Sequence, residues 1–298
     1  MRLLRLIAMP ATEKLRLRTA LGKHDHVAPL RDGRVTSSRI ALEFVDIEPL
    51  PKAFRQMVRG DGLDVSEMAV VTHLLAHHFG KPIGGIAIPL WSRLPHANLV
   101  CPADSALGPP SDLNGSNIGV RAYAQTSGVW VRGVLSDEYG VDLDSITWGT
   151  MEDAHLVEYV DPPSTIRYTA PPGLRELMLQ GAFSAIMGER IVDPAGIRTV
   201  IPDAAAAAHD WIRRSGIHPI NHILTVKNDL TAAHPWLPGE LMEMFTRARE
   251  IAIADGAQPP PAYGFEQNCA SLQRCLQYSA DQAVTPRLYA VDEMFHRV

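Results

Sequence analysis

Two histidines and two arginines in this chain have the types and settings for a pocket that binds an acid and moves a proton. His218 and His222 lie in HPINHILTVKNDL at 218–230, beside a proline at the mouth of an apolar strand. An imidazole with an ordinary pKa of about 6.5 gives or takes a proton near neutrality, and such groups cluster at pocket mouths. Arg121 lies in GVRAYAQTSGVWVRG at 119–133, where an apolar run yields to a short polar loop. A helical pattern then recurs through Val129, Trp130, Val134 and Leu135. Thr126 or Ser127 reads as its N-cap, which turns backbone N–H groups toward the loop and any anion there. Arg121 adds a planar fork for a carboxylate. Tyr123, Gln125 and Thr126 share the loop; the last two either donate to carboxylate or phenol oxygens or simply cap the helix. Arg93 sits in a turn with Trp91, Pro95 and His96 and is the second candidate anchor.

Further candidates depend on where strands end. Residues 15–21 alternate apolar and charged side chains as a strand does, and Gly22 to Asp25 turns, leaving Asp25 and His26 just past its carboxyl end. In open α/β sheets that end is where ligands bind. The pattern over 64–79 predicts a helix with Ser66 or Asp64 as cap and Glu67 in its first turn, either as a proton acceptor or as a dipole-complementing carboxylate. His73 and His77 are four apart, but position 74 is Leu74 where the zinc-peptidase motif needs glutamate, so no metal role is assigned to them. Ser127-Gly128 lacks the hydrolase elbow frame, and no glycine-rich phosphate loop occurs.

The elements that must place these groups alternate between strand and helix, which predicts an α/β fold. Strands are expected at 40–47, 83–89, 97–101, 117–121, 145–148, 182–187 and 220–226. Helices are expected at 51–58, 127–139, 173–180, 204–214, 238–254 and 265–280. The Pro-, Gly- and Ser-rich stretch 102–115 reads as a crossing between lobes. With 298 residues, the chain is long enough for two cores. A net charge of −5 leaves no basic footprint for nucleic acid, so an anionic ligand must be drawn in by placed arginines. Cys101, Cys269 and Cys275 cannot all pair and form no Cys-x-x-Cys motif, which fits reduced thiols. The apolar stretch of Met1 to Pro10 is too short for a secretory core, and no run is long enough to span a membrane; a cytoplasmic protein with no membrane partner is expected.

Four further segments complete a pattern: LRLRTALGKHDHVAPLRDGRV at 15–35, LDVSEMAV at 63–70, IPLWSRLPHANLV at 88–100 and HPWLPGELMEMF at 234–245. In this order, and with the two segments above, they resemble the 4,5-dihydroxyphthalate decarboxylase family over most of the chain. His26 stands where that family has arginine, and Asn221 where it often has methionine. The resemblance implies the two-lobed fold of type II periplasmic binding proteins, with lobe 1 from 1–104 and 224–298, lobe 2 from 105–223, and a ligand cleft between them. It also implies a carboxy-lyase acting on a hydroxylated aromatic carboxylate. Protonating the ring carbon that bears the carboxylate, with electron donation from a para hydroxyl, permits loss of carbon dioxide without an organic cofactor. On that reading His222 or His218 supplies the proton, and Asp25, Glu67 or His218 assists the phenol. Arg121 and Arg93 hold carboxylate, and His26, Ser66, His96, Tyr123, Gln125, Thr126 and Asn221 contribute to the substrate site. No cofactor is expected; a divalent metal and homo-oligomerisation stay open. Two alternatives share the fold: a non-catalytic binding protein for small anions, and a lyase or isomerase acting on another small acid. Release of carbon dioxide discriminates them.

Overall fold

A computed structural model describes residues 13–169, 172–188 and 195–298; the N-terminal stretch read for an export signal lies outside them. Twelve strands are assigned among these residues: β1 Leu15–Ala20, β2 Ile40–Phe44, β3 Val65–Ala69, β4 Ile83–Trp91, β5 Leu99–Pro102, β6 Asn117–Val120, β7 Thr147–Thr150, β8 Thr165–Arg167, β9 Ala185–Met187, β10 Ile197–Thr199, β11 His222–Lys227 and β12 Phe295–His296. The helices are α1 Ala28–Arg31, α2 Pro51–Arg59, α3 Val70–His78, α4 Thr126–Tyr139, α5 Leu174–Leu179, α6 Ala204–Ser215, α7 Asn228–Ala233, α8 Leu237–Ala254 and α9 Phe265–Asp281. Two six-stranded mixed sheets form, in the orders β12-β4-β11-β3-β1-β2 and β10-β5-β9-β6-β7-β8. The architecture is the expected two-domain α/β fold. No helix among the described residues is long and apolar enough to cross a membrane.

The helix expected at 64–79 is instead a strand running straight into a helix. Val65 to Ala69 are all buried, with β1 on one side and β11 on the other. A strand covered on both faces loses the alternation that marks a half-buried one, and Ser66 and Glu67 are polar members of it. The helix begins only at Val70, and its first N–H groups are satisfied from outside. Val70 N donates to the Asn221 carbonyl, and Val71 N donates to Thr126 Oγ1 at 3.1 Å. Thr126 is therefore not the cap of its own helix; Gln125 holds that position without a side-chain bond.

A second difference concerns the crossing. Leu99–Pro102 pairs with β9 and β10, so the chain has already entered the second sheet before the 102–115 stretch. The passage runs through 92–98, and the return runs through 216–221, where Trp130 Nε1 donates to the Ile220 carbonyl at 3.0 Å. Helix α9 packs on both α3 and α4. Its Tyr278 hydroxyl donates to Asp137 at 2.7 Å, and just beyond its end Gln282 bonds Arg132 Nε and the Val129 carbonyl. Arg132 is wholly buried and its Nη2 donates to the Tyr123 carbonyl at 2.7 Å, which fixes the loop that carries Arg121.

Candidate active site

The ends of β3, β4 and β6 and the start of α4 enclose a cleft of about 520 Å³ between the two sheets. Carboxyl ends of strands are the expected ligand position in such folds. His222 opens β11 at this mouth, opposite Ala69 of β3 and Trp91 of β4. The β11–β4 register slips beside it, at Pro89, which has no N–H to give to the ladder. Such irregularities re-aim side chains.

Behind His222 lies Glu67, fully buried in β3. Its carboxylate accepts from His222 Nδ1 at 2.6 Å, from His24 Nε2 at 2.9 Å and from the Gly22 N–H at 2.8 Å. Burial alone would raise the carboxyl's pKa, but the bonds from His222 and His24 outweigh it and hold Glu67 well below the usual carboxylate range. An ionised Glu67 makes both facing imidazole nitrogens donors, which leaves His222 Nε2 as the ring nitrogen for a ligand. Glycine at 22 is required by closeness: a Cβ there would lie 2.6 Å from His24 Nε2 and 3.0 Å from Glu67 Oε2. The His222 ring is held by the edge of Phe54, centroids 5.2 Å apart, and by Trp91 at 4.8 Å.

The rest of the lining supplies positive charge and open donors, Arg121 and the start of α4 from the second sheet's side, Asn221 and Arg93 from beside His222. Arg121 follows β6, lines the cleft, and has a buried Nε without a hydrogen-bond partner; the nearest carboxylate, Glu152, is 3.9 Å away. Asn221 is buried, uses Oδ1 to accept from the Arg93 N–H at 2.7 Å, and leaves Nδ2 without a partner. Arg93 lines the same cleft, and burial lowers its guanidinium pKa. Gln125 donates to the Gly188 carbonyl, and Gln125, Thr126 and Ser127 bring the first turn of α4 to the cleft. Buried donors without partners are costly unless something accepts from them, and a carboxylate does so with charge assistance.

Of the residues singled out in the sequence, His222, Arg121, Arg93, Gln125, Thr126 and Asn221 line this one cleft. Glu67 sits one layer behind it as the partner of His222 and not in a helix's first turn. The others do not line it. His218 is exposed, with its N–H on Ser271 Oγ, and Asp25 is exposed. His26 is buried against His24 and Tyr263, and burial, followed by His24, lowers its pKa to about 4. His96 packs against Tyr139 and Trp211, Tyr123 donates to the Gln282 carbonyl, and Ser66 lies within the sheet with its hydroxyl on the Glu67 carbonyl. Two site residues were not read from the sequence. His24 precedes the pair that was singled out, and His155 lies in the irregular acidic segment 151–163, with no periodicity to place it. Among the described residues no group of three or more His, Cys, Asp or Glu is arranged to hold a metal ion.

No protein-family model matches the chain. It is 28% identical over 322 residues to a 4,5-dihydroxyphthalate decarboxylase of Comamonas testosteroni, covering 95% of this chain and 97% of that protein. It is also 28% identical over 215 residues to a protein of the same name from Pseudomonas putida, covering 67% of this chain and 82% of the other. Among solved structures, the periplasmic aliphatic sulphonate binding protein SsuA of Escherichia coli aligns with a TM-score of 0.61 at 13% identity, over 96% of this chain and 92% of that one. That likeness establishes the fold. The scaffold is periplasmic-binding-protein-like, and the matches to two decarboxylases, one of them over nearly its whole length, make this chain an enzyme, a carboxy-lyase similar to the 4,5-dihydroxyphthalate decarboxylases.

Proposed function

We propose that the enzyme removes one carboxylate, as carbon dioxide, from a hydroxylated aromatic dicarboxylate of the 4,5-dihydroxyphthalate kind, without an organic cofactor. Arg121, Arg93 and the start of α4 hold the carboxylates. Cationic His222 passes its Nε2 proton to the ring carbon bearing the departing group, while the para phenol loses its proton and becomes a ring carbonyl. The bond to carbon dioxide then breaks, its electrons return through the ring to that oxygen, and the phenol is re-formed. Each turnover takes up one proton. The observation that carries this reading is the pairing of His222 with a buried carboxylate in the cleft where Arg121 Nε stands without a partner. Ionised Glu67 stabilises the imidazolium, and general acid catalysis of this kind contributes about 10²–10⁴-fold. The three cysteines are free, two of them buried, which supports the cytoplasmic reading.

The test is incubation with 4,5-dihydroxyphthalate. Wild-type protein is expected to release one carbon dioxide per substrate, and His222→Ala to lose at least about 100-fold in kcat. Tight binding without carbon dioxide would replace this reading with that of a receptor. Undiminished turnover by His222→Ala would remove His222 from the proton step.

A further inference from the structure

The phenol needs a partner, and Asp25, Glu67 and His218 do not line the cleft. His155 does. It lies between β7 and β8, in a segment whose start is fixed by Met151 N and Glu152 N donating to the Arg121 carbonyl at 3.0 and 2.7 Å. Beyond it, Leu156 is buried in the core and Glu158 pairs with Lys81 after α3. Its own ring is held from the first lobe. Nδ1 is 2.7 Å from Thr72 Oγ1, and the ring meets Phe54 edge-on with centroids 5.5 Å apart. The same Phe54 ring braces His222, so the two imidazoles flank one aromatic platform from opposite walls.

From this placement we propose that His155 is the residue that binds the ring hydroxyl of the substrate; the inference rests on the aromatic dicarboxylate reading of the cleft. With Nδ1 engaged by Thr72, Nε2 is the nitrogen that meets a ligand. A neutral imidazole shows a phenol either a lone pair for its hydrogen or an N–H for its oxygen, and the hydroxyl passes between those two states during the reaction. Burial first, then the charges of Arg55, Arg121 and His222, lower the His155 pKa to about 3, so it is neutral at physiological pH. A bound dicarboxylate offsets those cations but not the burial, so Nε2 stays a weak base, and it suffices because the phenol becomes strongly acidic as the ring carbon takes its proton. The phenolic proton then moves to Nε2 as the ring carbon is protonated and returns to oxygen when carbon dioxide leaves, with no net change at His155.

Binding is measured calorimetrically in the His222→Ala background, so that the substrate is not consumed, with 4,5-dihydroxyphthalate and with phthalate, which lacks both hydroxyls. Adding His155→Ala is expected to weaken 4,5-dihydroxyphthalate about tenfold, as loss of one hydrogen bond does, while phthalate stays within about twofold. Unchanged phthalate affinity also serves as the folding control. Thr72→Val, which keeps shape and frees Nδ1, is expected to lose part of the same preference. With His222 intact, His155→Ala is expected to lower kcat about 100-fold. Equal weakening of both ligands, or of neither, overturns the assignment. Failure of the His222→Ala protein to bind either ligand overturns the dicarboxylate reading, and the assignment with it. A hydroxyl preference that depends on His155, in a wild-type protein releasing no carbon dioxide, would uphold the assignment and sink the decarboxylation chemistry alone.

Discussion

Replacing Glu67 by glutamine keeps the side chain's shape and removes one buried charge, and the geometry says where the damage falls. All three groups facing the carboxylate are donors: His222 Nδ1 at 2.6 Å, His24 Nε2 at 2.9 Å and Gly22 N at 2.8 Å. An amide offers only one oxygen. The Gly22 N–H has no tautomer to switch to, so the amide oxygen stays on the Gly22–His24 side and the NH₂ turns toward His222. His222 Nδ1 must then accept, and the imidazolium form loses its charge-assisted bond, about 1.5–3 kcal/mol. At about 1.4 kcal/mol per factor of ten, kcat for 4,5-dihydroxyphthalate should fall roughly 10- to 100-fold. KM should change little, because Glu67 does not line the cleft and the anchors are untouched. Steady-state kinetics by carbon dioxide release would show the split, with urea unfolding as the control for fold. A Glu67→Gln enzyme with wild-type kcat would refute the reasoning, and so would one whose loss lies wholly in KM.

Two predictions concern stability. His73 and His26 are buried, and burial in each case, reinforced by His24 for His26, lowers their pKa values to about 4. The unfolded chain takes up protons below about 6.5 while the folded one resists until about 4, so their contribution is complete above 6.5 and lost as pH falls through that window. Between pH 7 and 5 each should cost about 2 kcal/mol, read as a falling urea midpoint, and His73→Gln should flatten the slope. Gly133→Ala would place a Cβ 2.1 Å from the Tyr278 ring between α4 and α9, whereas one at Gly239 in α8 would meet nothing within 4 Å. The first should lower Tm by several degrees, for about 1–3 kcal/mol of overpacking, and the second should hold or raise it by calorimetry.

How much of this could be read from the chain depended on whether local pattern or distant contact did the placing. Helices α4, α8 and α9 carry their own periodicity and were expected within a residue or two of their bounds. Arg121 and His222 stand at junctions of apolar runs with polar loops, which makes them legible, whereas Asn221 is marked only by the family resemblance. Val65–Ala69 misled because a strand covered on both faces can carry Ser66 and Glu67 and shows no break before the helix that follows. His155 was silent because tertiary bonds to Thr72 and Lys81 place its segment, and sequence neighbours record neither. His96, Tyr123 and Ser66 had suitable chemistry, but they spend it on the interior.

The hydroxyl of Thr126, from the head of one lobe's helix, completes the first turn of the other lobe's helix at Val71. Any motion that parted the two walls by a few ångströms would uncap α3, at a cost of about 1 kcal/mol. Ligand wall and helix frame are thus one piece of hardware: the first turn of α3 keeps its outside acceptor only while the two walls stand together.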